Sequence, residues 1–222
     1  MALIRFHREG RYWIGGSLLV GLMGIGAWGL WPLPAWLGLS LGGLWLLWTG
    51  LILNFFRYPP RACPAEPNTL YAPCDGKVVE IKRTFEPKYF HAEMLQISIF
   101  MSPLNVHVNW APAPGKLLYK QHNPGLYKVA WHPKASLLNE QTFLAVVQEP
   151  GKKYYALRQI AGFLARRIRT YPDAGDQLTS GQEIGFILFG SRVDILLPPT
   201  AQIRVQPGQT VRGPVTPIAT WS

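Results

Sequence analysis

No aspartate, glutamate, lysine or arginine occurs from Tyr12 to Phe56, a stretch of 45 residues. One membrane helix needs about 20 apolar residues, so this stretch is too long for a single span or a signal-peptide core and has the length of two spans. Trp31-Pro32-Leu33-Pro34 divides it, because proline removes a backbone donor and stops helix propagation. The predicted anchor is therefore residues 1–56, a transmembrane hairpin with helices over about 12–31 and 35–56. A helical hairpin buried in a soluble protein would need a core larger than the remaining chain supplies. Arg5, Arg8 and Arg11 precede the first helix, Arg57 and Arg61 follow the second, and the connecting loop is uncharged. The positive-inside rule then puts both ends in the cytoplasm, at the cell membrane. Tyr12, Trp13, Trp28, Trp31, Trp36 and Tyr58 suit the interfacial belts. Gly38 and Gly42 form a G-x-x-x-G that permits close helix packing in lipid; no oligomer follows from it.

Elsewhere the charge is basic. The chain carries 22 Lys+Arg against 12 Asp+Glu, a formal +10, of which +8 falls beyond residue 56. A basic domain tethered at a cytoplasmic leaflet is attracted to anionic headgroups. Nucleic acid is not the expected partner, since no recognition helix, zinc spacing or aromatic RNP-like signature is present. Hydrophobic residues make up 48%, which excludes a disordered chain. Cys63 and Cys74, the only cysteines, match no metal-site spacing and would face a reducing cytosol, so neither a disulfide nor a metal is expected.

Residues 57–67 hold Pro59, Pro60, Pro64 and Pro67 and suggest an extended linker, leaving 68–222 as one domain. There, short alternating or β-branched runs are punctuated by Gly and Pro: 77–82, 95–100, 106–110, 142–148, 154–160, 185–189, 193–197 and 202–205. The expected fold is mainly β, an antiparallel β sandwich or barrel-like catalytic domain behind the two-helix hairpin. Residues 142–147 and 154–160 flank Glu149-Pro150-Gly151-Lys152 as a hairpin, and 205–211 reads as strand, turn, strand around Pro207-Gly208. Residues 161–168 fit helix and strand alike.

Three segments stand out chemically. Asp75 precedes Gly76, His107 follows the Pro103 turn, and Ser191 follows Gly190 between two apolar runs. An Asp, a His and a Ser distant in sequence can meet as orienting acid, base and nucleophile. Each also has a structural explanation: Asp-Gly is a turn pair, a strand histidine packs, and Gly-Ser forms turns or bulges.

Ala72-Pro73-Cys74-Asp75-Gly76-Lys77-Val78, the run from Phe100 to Asn109 (FMSPLNVHVN) and Phe189-Gly190-Ser191-Arg192-Val193-Asp194 together resemble the signature blocks of the phosphatidylserine decarboxylase family, in its short, archaeal-type subfamily. Lys134-Ala135-Ser136, Asn139-Glu140, Gln159-Ile160-Ala161-Gly162 and Ala165-Arg166-Arg167-Ile168 extend the likeness over nearly the whole chain. The resemblance implies a proenzyme, or zymogen, that cuts itself between Gly190 and Ser191, giving chains 1–190 and 191–222 that remain together as a heterodimer. Ser191 would become a covalent pyruvoyl group, with His107 and Asp75 completing the triad. The residue types suit that chemistry: Ser191 Oγ attacks the Gly190 carbonyl, glycine permits the strained backbone, and neutral histidine accepts the hydroxyl proton. The implied reaction is pyruvoyl-dependent decarboxylation of phosphatidylserine to phosphatidylethanolamine and CO2 at the membrane, a step of phospholipid biosynthesis, with no metal and no external cofactor.

One position departs from the family pattern. Relatives commonly carry a basic residue three positions after this histidine, whereas this chain has Trp110. For the headgroup phosphate the candidates are Lys134, Arg166 and Arg167. Two other readings use the same residues: a membrane-anchored Ser-His-Asp hydrolase, which lacks a G-x-S-x-G elbow, and a non-enzymatic lipoyl-like adapter, suggested by the Gly-spaced C-terminal strands. Both imply an uncut chain.

Overall fold

In a computed structural model, which describes residues 5–31, 34–125, 139–162, 167–188 and 190–221, the uncharged stretch forms helices α1 (Arg11–Leu30) and α2 (Ala35–Phe55). Both are long and apolar enough to cross a membrane. Their apolar side chains point outward: Leu22, Ile25, Leu39 and Leu44 are 67%, 69%, 76% and 64% exposed, unlike the side chains of a soluble core. Between the helices, the Ser17 and Thr49 hydroxyls lie 2.6 Å apart and Trp45 Nε1 donates to the Ser17 carbonyl at 2.8 Å, pairing the polar groups that lipid would leave unsatisfied. A Cβ on Gly38 would fall 1.1 Å from the Trp28 ring, whereas Gly42 meets nothing within 4 Å. Of the G-x-x-x-G pair, only Gly38 is used, and it serves packing within the hairpin. Strands β1 (Arg5–Phe6) and β2 (Arg57–Tyr58) pair antiparallel, which brings the two basic ends of the hairpin together. Residues Met1–Pro60 form one compact unit and Arg61–Ser222 a second.

The second unit continues as β3 (Thr69–Tyr71), β4 (Gly76–Glu86), β5 (Ala92–Met101), β6 (Val108–Trp110), β7 (Gly115–Asn123), β8 (Gln141–Glu149) and β9 (Lys153–Ala161). After these come β10 (Ile168–Thr170), β11 (Gln177–Leu178), β12 (Glu183–Ile187), β13 (Ser191–Leu197), β14 (Gln202–Ile203), β15 (Thr210–Val211) and β16 (Pro217–Thr220). An eight-stranded sheet runs β11-β7-β8-β9-β13-β5-β4-β15, and two three-stranded sheets run β10-β12-β6 and β14-β16-β3. Every described pairing is antiparallel, so the domain is mainly β, as the alternation predicts.

The β8–β9 hairpin closes on Gly151, whose φ of 75° suits glycine in the turn. The segment 205–211 behaves differently from the simple strand-turn-strand expectation. Only Thr210–Val211 of it is strand, and that strand pairs with β4, while β14 ends at Ile203 and pairs with β16. The Pro207-Gly208 turn thus carries the chain from one sheet to another. Strand β7 is absent from the runs predicted above, because Tyr119 to Asn123 lacks a clean alternation; it is stabilised by pairing with β8.

The core explains why β13 ends in the continuous apolar run Ile195-Leu196-Leu197. Val193, Ile195 and Leu197 enter the main cluster with Ile97, Ile99, Met101 and Leu157, while Leu196 packs on the opposite face with Met94, Phe143 and Ala156. A strand buried on both faces shows little alternation. Gly76 opens β4 against β5, where a Cβ would lie 2.2 Å from the Phe100 carbonyl oxygen. Backbone cannot step aside as a side chain can, so Gly76→Ala is expected to cost about 1–3 kcal/mol. A lowered melting midpoint of the purified protein in detergent would show it, and an unchanged midpoint would mean the strands separate freely there.

Candidate active site

The sheet order assembles the three predicted residues at one end. Ser191 opens β13 and lies opposite Met101 on β5 and Ala161 on β9. On the other side of β5, Lys77 lies opposite Phe100, so Asp75, just before β4, comes to the same end. The chain leaving Met101 turns at once, fixed by the Ser102 N–H donating to Asn105 Oδ1 at 2.9 Å and the Asn105 N–H to the Ser102 carbonyl at 2.8 Å. It then delivers His107, whose carbonyl accepts from the N–H of Ile187 at 3.3 Å, four residues before Ser191.

Ser191 is fully buried on the core face of the sheet, and its Oγ donates to Met101 Sδ at 3.3 Å. Gly190 holds φ of 66°, a left-handed backbone that other residues adopt with strain. The same sulfur accepts from Asn109 Nδ2 at 3.8 Å. Behind it runs a directional chain: Gln159 Nε2 donates to Asn109 Oδ1 at 2.7 Å, and Thr170 Oγ1 donates to Gln159 Oε1 at 2.6 Å. Because each amide oxygen is taken by a donor, the Asn109 amide nitrogen is turned toward the sulfur that Ser191 touches. Asn109 and Gln159 are both fully buried, where unsatisfied amides would be costly.

His107 is fully buried, and its Nδ1 lies 2.9 Å from the Asn105 carbonyl. A carbonyl only accepts, so Nδ1 carries the proton and Nε2 is the basic nitrogen of the neutral ring. The Asp75 carboxylate is engaged by other groups. Arg61 pairs with both of its oxygens, through Nη1 to Oδ1 and through Nη2 to Oδ2 at 2.9 Å, and the Gly213 N–H donates to Oδ1 at 3.0 Å. Arg61 Nη1 also donates to the Gly213 carbonyl, and its guanidinium carbon stands 5.6 Å from the centre of the Trp110 ring. Cys63 and Cys74 are free thiols. Burial pushes the Cys74 thiol well up, and the charges of Asp75 and Asp194 push it further, so it stays protonated and is no rival nucleophile.

The face of β13 opposite Ser191 is held by charge. Arg192 Nε donates to Asp194 Oδ1 at 2.6 Å and Nη2 to Ser98 Oγ at 2.7 Å, with Glu80 Oε2 at 3.2 Å. Arg158 Nη1 stands 3.7 Å from Asp194 Oδ2. A one-residue slip of β13 would drive Arg192 and Asp194 into the apolar core, so this network fixes which way Ser191 faces.

Of the phosphate candidates, Lys134 and Arg166 lie outside the described residues, and Arg167 is exposed with its carbonyl accepting from the Leu188 N–H at 3.3 Å. Among the described residues no group of three or more His, Cys, Asp and Glu is placed to hold a metal ion. Sequence reasoning passed over Arg61, Met101, Asn109 and Gln159 as site residues. Three of them stand inside the motif blocks quoted above, which was the available signal; Arg61 stands at the exit from the second helix, where it reads as a charge flanking the membrane.

The phosphatidylserine decarboxylase family model matches residues 48–219. A phosphatidylserine decarboxylase proenzyme from Amoebophilus asiaticus is 46% identical over 218 residues, covering 95% of this chain and 94% of the relative. Proenzymes of the same name from Cytophaga hutchinsonii and Salinibacter ruber are 47% and 42% identical, over 76% and 88% of this chain and 76% and 84% of theirs.

Proposed function

The chain belongs to the phosphatidylserine decarboxylase family and is a decarboxylase, and from that premise we propose that it matures by cutting itself before Ser191 and then converts phosphatidylserine to phosphatidylethanolamine and CO2 at the membrane. The observation that carries the reading is Ser191 itself: a buried hydroxyl opening a core strand directly after a glycine in left-handed backbone.

In the first stage, Ser191 Oγ attacks the Gly190 carbonyl carbon as His107 Nε2 takes its proton. The peptide C–N bond breaks, leaving an ester and a free amine. The Asn105 carbonyl keeps His107 in the tautomer this requires, and Asp75, at the same sheet end, is the third member of the triad that the resemblance implies, its carboxylate held by Arg61 and the Gly213 N–H. Loss of the Ser191 α-proton then expels the Gly190 carboxylate. The resulting dehydroalanine takes up one water, releases ammonia and ends as a pyruvoyl amide.

The residues present fit such a group. The new terminus would begin a strand hydrogen-bonded on both sides, by β5 and β9, in buried, largely apolar surroundings beside Met101. The pyruvoyl group supplies an electrophilic carbonyl and an electron sink for loss of carbon dioxide. Around it, the Asn109 amide offers a donor, buried His107 can return a proton, and the enclosing strands exclude water. The segment after the cut contributes β13, β15 and β16, paired to β5 and β9, to β4, and to β3 respectively, so the two products stay associated as a heterodimer. Two helices long and apolar enough to span a membrane support tethering of the domain where a diacyl lipid resides, and the arginines beside them favour the cytoplasmic leaflet.

Intact-mass spectrometry of purified protein tests the proposal. The expected result is two chains, Met1–Gly190 and Ser191–Ser222, the smaller lacking a free amino terminus and reacting with carbonyl reagents. An active preparation consisting of one uncut chain would overturn it and favour a serine hydrolase.

A further inference from the structure

Resting on the role of Asp75 in self-cleavage proposed above, we propose that Arg61 is the cationic positioning residue of Asp75, set beside the ring of Trp110. Four groups close into one cluster. Arg61 grips both oxygens of Asp75 and the carbonyl of Gly213, and Gly213 returns its N–H to Asp75. The Trp110 ring lies beside the guanidinium, and a Cβ on Gly213 would sit 2.6 Å from that ring.

The backbone ties position 110 to the same spot, since the Trp110 N–H donates to the Pro73 carbonyl at 2.8 Å, two residues before Asp75. A side chain at 110 therefore projects next to the Asp75 partner. Trp110 brings no charge of its own; only 4% exposed, its ring offers the guanidinium a flat face. Asp75 is itself only 6% exposed, and a carboxylate so buried needs a cation with fixed geometry. Lysine would supply charge without the two-pronged grip. Arg61 acts through Asp75 and touches no reacting atom.

Self-cleavage followed on gels after cell-free synthesis in the presence of detergent gives the test. Arg61→Met is expected to slow appearance of the two chains at least tenfold, and Arg61→Lys to recover part of that loss. Adding Trp110→Arg to Arg61→Met is expected to restore most of the rate, which a packing role for Arg61 would not allow. Parent-like cleavage by Arg61→Met, or no gain from Trp110→Arg, would overturn the inference. A melting-point cycle in the uncleavable Ser191→Ala background reads the pair without processing. Loss of both Arg61 and Asp75 (Arg61→Met with Asp75→Asn) should cost less than the sum of the single losses, and strict additivity would count against the pairing. If the parent itself stays uncut, the processing reading fails while this cycle still decides whether Arg61 serves Asp75.

Discussion

Ser191→Ala is expected to leave a single full-length chain without decarboxylase activity, while barely changing the stability of the fold. Chemistry and packing separate cleanly at this position. The substitution removes one oxygen whose hydrogen bond runs to the thioether of Met101 at 3.3 Å, and sulfur is a weak acceptor. The ladder to Met101 and Ala161 uses backbone and remains. A stability change of about 1 kcal/mol or less follows. Without Oγ, however, no atom can attack Gly190 and no pyruvoyl group can form, so the loss of activity is complete rather than graded. Gel electrophoresis, a melting curve and release of carbon dioxide from phosphatidylserine vesicles read the three quantities. Two chains appearing from the alanine variant would remove Ser191 from the mechanism.

Replacing His107 has the second largest expected effect, a fall in the rate of self-cleavage of about 10²–10⁴-fold, the range for loss of a positioned general base. Because His107 is fully buried, alanine there also opens a cavity, and its slow processing could reflect loosened packing. His107→Gln separates the causes. Glutamine fills similar space and its amide can donate to the Asn105 carbonyl as Nδ1 does now, but it has no basic nitrogen. A folded glutamine variant that cleaves hundreds of times more slowly than the parent supports proton transfer at Nε2. One that cleaves at the parent rate would mean another group takes the Ser191 proton.

The motif blocks made Ser191, Gly190, His107 and Asp75 legible as candidates, because the runs of residues around them resemble the family's signature blocks. Their immediate partners were not legible. Arg61 and Asp75 are separated by proline-rich chain, and nothing in that composition says the arginine turns inward to a carboxylate. Arg192 and Asp194 look like ordinary polar residues of an alternating strand. Only the pairing of β13 with β5 brings Ser98 to Arg192, and β4 beyond it brings Glu80. The Pro207-Gly208 turn was visible as a turn, but which sheets it joins was not.

By itself the sequence determined the apolar hairpin, the β character of the domain and the residue types able to cut a peptide bond. These follow from local properties: a gap in charge long enough for two helices, alternation over a few residues, and side-chain chemistry. Tertiary structure alone decided that Met101 receives the Ser191 hydroxyl, that Asn109 is aimed through Gln159 and Thr170, and that Arg61 pairs with Asp75 beside the Trp110 ring. Those contacts depend on register between strands far apart in the chain, and register is an outcome of packing the whole core at once.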